Sequence, residues 1–179
     1  IIRLSALGDI VQAMVVLQFI KKINQNIIID WVVEEKYKDI LNSNPDINQI
    51  HVINIQKAKR KKSINLLFRE FIKVRKIGKY DIVIDMQGLL KSALIAKIIP
   101  SKLKVGFDKK SIRESLASLF YNKKFKIDYS ENIIIRNFSL AMNAIDSSNN
   151  ANNIFNKDPF LYSKDDYHLN LKANNKKNI

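Results

Sequence analysis

Residues 1–22 read IIRLSALGDIVQAMVVLQFIKK, and this stretch decides the fold. It opens with a short apolar run, Ile1–Leu4, which stops at the mostly small and polar residues 5–9. Beyond that break, apolar side chains recur at close to helical spacing until two lysines end the pattern. The stretch therefore predicts a strand, a tight loop and an amphipathic helix, in that order.

The alternation of strand and helix continues as far as residue 145. Apolar β-branched runs mark the strands, and Gly78 and Pro100 end two of the helices. Because apolar strands alternate with helices, the pattern predicts an α/β protein with a doubly wound parallel sheet. We expect strands at Ile27–Val33, Ile50–Ile55, Asp81–Met86 and Lys104–Phe107, helices at Tyr37–Leu41, Ile64–Ile77, Leu89–Ile99, Ile112–Tyr121 and Asn132–Ile145, and a basic loop at Lys57–Lys62.

Composition excludes several classes of protein. Hydrophobic residues make up 46% of the 179 residues, which is enough for a folded core. The chain has no cysteine and two distant histidines, so a disulfide, a thiolate metal site or a zinc enzyme is not expected. The longest uncharged apolar run, Ile10–Ile20, has eleven residues, whereas a membrane-spanning helix needs about 20.

The last part of the chain differs in composition from the rest. Ser147–Asn153 is a polar run typical of a linker, and residues 154–179 are too few to form a core of their own. The chain also begins inside a predicted strand and without a methionine. We therefore expect residues 1–146 to form one domain, and residues 147–179 to be a linker and the start of a second domain that the chain does not contain.

Positive charge is concentrated in two blocks of the chain. The net charge is +14, with ten basic residues and one acid in 57–79, and ten basic residues and two acids in 91–126. A clustered positive field favours an anionic partner such as phosphate, nucleic acid or an acidic membrane surface. The alternative is a set of solvated helix faces in a chain rich in Ile, Lys and Asn throughout.

Two loops are expected at the carboxyl ends of strands, where open parallel sheets bind their ligands. In the first loop, Ser5 precedes Gly8, which would allow a tight turn and the close approach of a ligand. Asp9 then stands at the helix start, either as a cap that accepts helix N–H groups or as a general base facing the cleft. The single glycine fits neither the dinucleotide fingerprint nor a phosphate-binding P-loop.

The second loop, Asp85–Ser92, includes Gln87 and opens a helix after Gly88. The N–H groups at that helix start could hold an anion, with Lys91 in the first turn. The alternative is an ordinary strand-to-helix turn with a solvated lysine. The adjacent acids Glu34-Glu35 follow the second strand, and they either mark the same crevice or begin a helix.

Four segments of the chain stand in a recognisable order and spacing: Leu7–Asp9, Asp30–Glu35, Asp85–Ala93 and Arg113–Asn122. Together they resemble glycosyltransferase family 9, the heptosyltransferases of lipopolysaccharide synthesis. The first segment is shared across that family, whereas the other three favour its type I members. The resemblance covers residues 1–145.

The resemblance implies a GT-B architecture, in which two Rossmann-like domains enclose a cleft. This chain would be the N-terminal, acceptor-binding domain, and the missing C-terminal domain would bind the donor, ADP-heptose. The acceptor would be the Kdo-modified lipid A precursor, and transfer would be inverting, with no metal or other cofactor. Asp9 matches the catalytic base of the family, which takes the proton of the attacking Kdo hydroxyl.

The resemblance also implies a role for the basic residues. In the family, a basic loop after the third strand and the arginine of the Arg-Glu-x-Leu-Ala motif engage sugar carboxylates and lipid phosphates. The implied location is the cytoplasm, with peripheral contact to the inner face of the inner membrane and no nucleic acid. The matching residues here are Lys57, Lys59, Arg60, Lys61 and Arg113.

Three alternatives remain open at this point. The single glycine of the first loop disfavours one of them, a plain nucleotide-binding α/β domain. Another family 9 heptosyltransferase, such as a type II enzyme, would differ in its acceptor sugar. A basic, Rossmann-like nucleic-acid-binding module would account for the charge, although no aromatic residues are interleaved with the Lys57–Lys62 run.

Overall fold

A parallel sheet of five strands and a short N-terminal segment forms the centre of the molecule. The computed structural model describes residues 1–148. The strands are β1 (Asp30–Glu34), β2 (Gln49–Ile53), β3 (Tyr80–Ile84), β4 (Ser101–Phe107) and β5 (Lys123–Phe125). The α-helices are α1 (Leu7–Ile23), α2 (Ile55–Arg60), α3 (Ile64–Arg75), α4 (Leu90–Ile98) and α5 (Ile133–Ser148), and two 3₁₀ helices cover Glu35–Ile40 and Ser115–Phe120.

The N-terminal segment, Ile1–Leu4, joins two groups of parallel strands into one sheet. β1 pairs with β2, while β4 pairs with both β3 and β5. Ile2 bridges the two groups, since its N–H donates to the carbonyl of Ile84 at 2.8 Å and the Val32 N–H donates to the carbonyl of Ile1 at 2.9 Å. The resulting strand order is β2-β1-segment-β3-β4-β5, with every pairing parallel. From the segment the chain adds β1 and β2 on one side, and it then adds β3, β4 and β5 on the other. Doubly wound sheets bind ligands at the point between the segment and β3, where this order of addition reverses.

The helices pack against the sheet in two groups. α1 packs along α5, where the rings of Phe19 and Phe138 meet edge to face with centroids 5.1 Å apart. α4 packs against both α3 and the 3₁₀ helix Ser115–Phe120. Right-handed crossovers between parallel strands put these two groups on opposite faces of the sheet. Trp31 of β1 is completely buried, and its indole N–H donates to the carbonyl of Arg3 at 3.1 Å.

The prediction of a basic loop at Lys57–Lys62 is wrong, because most of this segment is helical. Ile55 and Ala58 are both buried and stand one turn apart, so they anchor α2 while its basic side chains are exposed. The helix ends before Lys62, which has a positive φ of 46°. Ser63 then caps α3 by accepting a hydrogen bond from the backbone.

Several other elements differ from the sequence pattern. The helix predicted at Ile112–Tyr121 is the shorter 3₁₀ helix Ser115–Phe120, in which only two small side chains are buried. The pattern does not predict β5, since it has three residues and two are exposed lysines. α5 continues to Ser148, two residues into the predicted linker, and the rest of 147–179 lies outside the described residues. The run Ile1–Leu4, predicted as a strand, forms only isolated bridges at Ile2, and the helix predicted at Tyr37–Leu41 is the 3₁₀ helix Glu35–Ile40. The remaining predicted strands and helices are confirmed, with ends shifted by a few residues.

Candidate functional site

A cleft of about 330 Å³ opens where the strand order reverses. Its walls come from the loop after the N-terminal segment, the loop after β3 and the start of α5. Because the carboxyl ends of parallel strands meet at one edge of a sheet, residues distant in sequence converge here. Five residues proposed from the sequence line this cleft, namely Ser5, Asp9, Gln87, Gly88 and Arg113.

Asp9 is the third residue of α1, and its carboxylate is 44% exposed. Its Oδ2 accepts the N–H of Ala6 at 3.2 Å and lies 2.8 Å from the Arg3 guanidinium. Ala6, as the N-cap, has no side-chain acceptor, so only the reciprocal half of a capping box forms. The two roles considered for Asp9 are therefore compatible, because one oxygen serves the helix start while the carboxylate faces the cleft.

Arg3 forms a salt bridge with Asp9, and the sequence pattern did not single out this arginine. The residue is buried, and its guanidinium also donates to the carbonyl of Met86 in the opposite loop. It thereby ties the two loops together and fixes where the Asp9 carboxylate lies. The available signal was a lone arginine inside the apolar run Ile1–Leu4, since a charge is rarely buried without a partner.

The turn after β3 is built around the buried carboxylate of Asp85. Asp85 Oδ1 accepts the N–H groups of Gln87 at 2.9 Å and Gly88 at 3.2 Å, and Oδ2 accepts the hydroxyl of Tyr121 at 2.6 Å. Burial raises the pKa of the Asp85 carboxyl, and these hydrogen bonds oppose the rise. Gly88 has φ of +66°, and a Cβ there would lie 2.6 Å from Ile112, so only glycine fits without movement.

Gln87 connects this turn to the first loop. Its Oε1 accepts the N–H of Leu4 at 2.8 Å, and its Nε2 lies 3.3 Å from the Ser5 hydroxyl. The ammonium of Lys91 donates to the same hydroxyl at 3.3 Å. Desolvation lowers the pKa of Lys91, although the nearby carboxylate of Glu34 partly offsets this. Lys91 is half-buried and bonded to a residue that lines the cleft, so it is not a freely solvated side chain.

The two acids after β1 have separate environments. Glu34 is 2% exposed, and its carboxylate accepts the N–H of Gln56 at 3.2 Å. Burial raises the pKa of Glu34, while the Gln56 hydrogen bond and the charge of Lys91 oppose that rise. Glu35 is exposed and begins a 3₁₀ helix. Glu34 thus faces the interior near the cleft, whereas Glu35 marks a helix start.

Arg136 is a second cleft arginine that sequence reasoning missed. Its guanidinium lies between the rings of Phe107, at 4.9 Å, and Tyr129, at 4.7 Å, and donates to the carbonyl of Ser111. Burial lowers the pKa of Arg136, and the nearby positive charge of Arg3 adds to this. Within residues 1–148 its Nε has no hydrogen-bond partner and its guanidinium forms no ion pair with a carboxylate. The negative charge of Asp128 partly opposes the fall in pKa, but Asp128 forms no salt bridge with Arg136. A buried cation without a carboxylate in contact is costly, so the arrangement favours an anionic ligand.

The remaining predicted site residues lie outside the cleft lining. Gly8 does not make the predicted turn, because it occupies the second position of α1 with no positive φ, and the space beside it is open. Arg113 is an exposed lining residue, but the other predicted acceptor-binding residues are exposed on or just after α2. Among those, the positive charge of Lys59 is close enough to act on Glu34 and Lys91, and it acts to lower the pKa of both. The others are Lys57, Arg60 and Lys61.

Two kinds of feature are absent from residues 1–148. No helix in this part of the chain combines the length and hydrophobicity needed to cross a membrane. No group of three or more His, Cys, Asp or Glu side chains in it is arranged to hold a metal ion.

The sheet order and the cleft define a Rossmann-like domain that presents one carboxylate among arginines at its ligand-binding edge. The family model described as glycosyltransferase family 9 (heptosyltransferase) matches residues 69–177. The chain belongs to glycosyltransferase family 9.

Individual relatives agree with this assignment. The chain is 46% identical over 140 residues to lipopolysaccharide heptosyltransferase 1 of Campylobacter coli, which covers 78% of this chain and 39% of the relative. It is 31% identical over 142 residues to lipopolysaccharide heptosyltransferase 1 of Escherichia coli K12, covering 76% and 44% respectively. The chain therefore spans less than half the length of these relatives.

The solved structure of E. coli heptosyltransferase WaaC with ADP superposes with a TM-score of 0.74 at 28% identity. The superposition covers 80% of this chain and 46% of that one. The predicted family, its type I similarity and the doubly wound Rossmann-like fold of one part of a GT-B enzyme are confirmed.

Proposed function

We propose that the enzyme containing this chain transfers a heptose from ADP-heptose to a Kdo sugar of the lipopolysaccharide inner core. The described domain binds the acceptor, and the donor binds to a part of the enzyme beyond this chain. The observation that carries the proposal is a half-exposed Asp9 carboxylate, held by buried Arg3 in a cleft also lined by Arg113 and Arg136. Relatives named lipopolysaccharide heptosyltransferase 1, and E. coli structures with ADP and with ADP-2-deoxy-2-fluoro heptose, support it.

Asp9 acts as the general base in this proposal. Arg3 and the Ala6 N–H both engage Oδ2, and Oδ1 makes no hydrogen bond within residues 1–148, so it can accept a proton. A Kdo hydroxyl held against Oδ1 loses its proton as its oxygen bonds to the anomeric carbon of the heptose. The bond from that carbon to the phosphate oxygen breaks, and ADP leaves with the electron pair. One displacement of this kind inverts the anomeric configuration, and we propose that no metal takes part.

Arg113 and Arg136 hold the anionic group of the acceptor. The sugar carboxylate of Kdo is planar and matches the two-pronged hydrogen-bonding geometry of a guanidinium. Arg136 is already fixed by Phe107, Tyr129 and the Ser111 carbonyl, so little side-chain freedom is lost when the ligand binds. Its unpaired Nε would gain a partner in the complex.

The cations of α2 act at a longer range from the reacting groups. Lys57, Lys59, Arg60 and Lys61 are exposed on or just after α2, and they would meet the phosphates of lipid A. This acceptor is a membrane lipid, so we propose that the enzyme works at the inner face of the inner membrane as a peripheral protein.

The test is an ADP-release assay on the enzyme that contains this chain, with ADP-heptose and Kdo-modified lipid A. We expect release that requires the Kdo acceptor. Arg113→Lys should raise the KM for the acceptor more than it lowers kcat, since lysine keeps the charge and loses the planar fork. Release only with an acceptor that already carries heptose would identify a type II enzyme. No release, together with tight and salt-sensitive binding of DNA or RNA, would overturn the proposal in favour of a nucleic-acid module.

A further inference from the structure

The outward face of α3 carries an apolar stripe that the fold does not need. Ile64, Phe68 and Ile72 are spaced four residues apart and so share one face of the helix. They are 81%, 63% and 40% exposed, while Leu67 and Val74 on another face already pack into the core. The outward face of a surface helix is ordinarily polar, and contiguous exposed apolar side chains usually mark an interaction site.

The stripe lies within the most basic part of the chain. Residues 57–79 contain ten basic residues and one acid, Glu70. The Glu70 carboxylate is engaged by the N–H of Asn54 at 3.0 Å, so it is turned toward β2 and α2. Among the exposed cations beside the stripe, Lys73 donates to the carbonyl of Val52 at 2.6 Å. The others are Lys61, Lys62, Arg69, Arg75 and Lys76.

We propose that α3 docks on a membrane surface that contains anionic lipid. Ile64, Phe68 and Ile72 would enter the boundary between headgroups and acyl chains, and the flanking cations would meet lipid phosphates. The helix has 12 residues and is about 18 Å long, so it lies in the membrane plane. This inference deepens the proposed function. It rests on that function in one respect, because the proposed function identifies the membrane on which α3 docks.

Other occupants fit the stripe less well. A second copy of the chain would bring two strongly positive surfaces together, which repel each other. A nucleic acid would pair with the cations but would gain nothing from three exposed apolar side chains. An anionic lipid surface uses both the charges and the stripe.

The absence of cysteine from the chain allows a site-specific test. In Phe68→Cys, an attached polarity-sensitive NBD fluorophore should shift to the blue and brighten when vesicles of phosphatidylglycerol and phosphatidylethanolamine are added to the 179-residue protein. Phosphatidylcholine vesicles should give a much smaller response, and added salt should weaken the response to anionic vesicles. The matched control is Ile28→Cys, at an apolar residue outside α3 that is 75% exposed before β1, and it should not respond.

A co-sedimentation experiment with unlabelled protein gives a second readout. Ile64→Ser combined with Phe68→Ser should weaken binding to the anionic vesicles by about tenfold or more, because burial of each side chain is lost. Ile28→Ser should bind like the parent protein, and all variants should keep the parent thermal unfolding temperature to within a few degrees.

Three results would overturn the membrane proposal. A blue shift that grows with protein concentration without vesicles would indicate self-association. Vesicle binding that is unchanged in the double serine variant would indicate attraction by charge alone. No vesicle binding by the parent protein would also exclude the docking surface. None of these assays uses a sugar substrate. They can therefore refute membrane docking while the enzyme still transfers heptose, and the protein can still dock on vesicles if heptose transfer is refuted.

Discussion

Tyr121→Phe removes one hydroxyl from beneath the cleft and leaves the aromatic ring in place. That hydroxyl donates to Asp85 Oδ2 at 2.6 Å, and Asp85 is fully buried. A hydrogen bond to a charged group contributes about 1.5–3 kcal/mol, so we expect the free energy of unfolding to fall by about 2 kcal/mol. Phenylalanine keeps the ring that covers Gly106, so loss of packing should add little.

The change can be measured by urea unfolding of the 179-residue protein followed by circular dichroism. With a denaturant dependence of about 1–3 kcal/mol per molar urea, the midpoint should fall by about 1 M. Tyr129→Phe is the matched control, because the Tyr129 hydroxyl makes no hydrogen bond within residues 1–148 and its ring is exposed. The control should change the free energy of unfolding by less than about 0.5 kcal/mol.

The effect of Tyr121→Phe should depend on pH. Because burial raises the pKa of Asp85, the folded protein binds this proton more tightly than the unfolded chain does. The free-energy cost of keeping Asp85 ionised in the folded protein therefore grows as pH rises from the ordinary pKa of about 4 through the raised pKa. Losing the hydroxyl raises the folded pKa further, so the variant should lose more stability at pH 7 than at pH 4. A loss below about 0.5 kcal/mol at pH 7, or an equal loss at both pH values, would refute the reasoning.

Two further substitutions test the sheet and the turn. Gly88→Ala should lower the free energy of unfolding by about 1–3 kcal/mol in urea titrations, since φ is +66° and the new Cβ would lie 2.6 Å from Ile112; unchanged stability would contradict this geometry. For Asp30, burial alone would raise the pKa, but hydrogen bonds from Asn48, Tyr80 and His51 outweigh it and hold the pKa below its ordinary value. The carboxylate therefore stabilises the fold above about pH 4, and this contribution is lost as pH falls from there through the lowered folded pKa, so Asp30→Asn should destabilise at pH 7 and less at pH 3.

The position of the cleft could be predicted from the sequence, because it follows from the order of strands and helices. Ser5 and Asp9 come within five residues of the N-terminal segment, Gln87 and Gly88 come within four residues of β3, and carboxyl ends of parallel strands share one edge. Their convergence required only that the sheet be parallel and doubly wound. Local pattern was sufficient for these residues.

Arg3 and Arg136 could not be found in the same way. Each interrupts an apolar run, and local periodicity assigns such a residue to the core or to solvent without saying what it faces. Arg136 reaches the cleft only because α5 returns across the sheet and packs against α1. That return is a long-range contact, and no short segment of sequence encodes it.

The helix α2 was missed for a different reason. A run of five basic residues within Lys57–Lys62 resembles a solvated loop, but helices tolerate lysine and arginine well. Two buried anchors, Ile55 and Ala58, are enough to order one and a half turns. Burial of these anchors depends on the neighbouring helix α3, which the local pattern does not reveal.

The central claim is that Asp9 removes the proton of the acceptor hydroxyl, and turnover of Asp9→Asn in the enzyme containing this chain tests it most directly. Asparagine can still accept the Ala6 N–H, so the fold and ADP-heptose affinity should be retained. Loss of the base should lower kcat by about 100-fold or more. Asp81→Asn, which breaks an exposed pair with Lys102 near the start of β3, at the opposite end of that strand from the cleft, should leave kcat unchanged. Near-normal turnover in Asp9→Asn, with normal donor binding, would reduce Asp9 to a helix cap and contradict the mechanism.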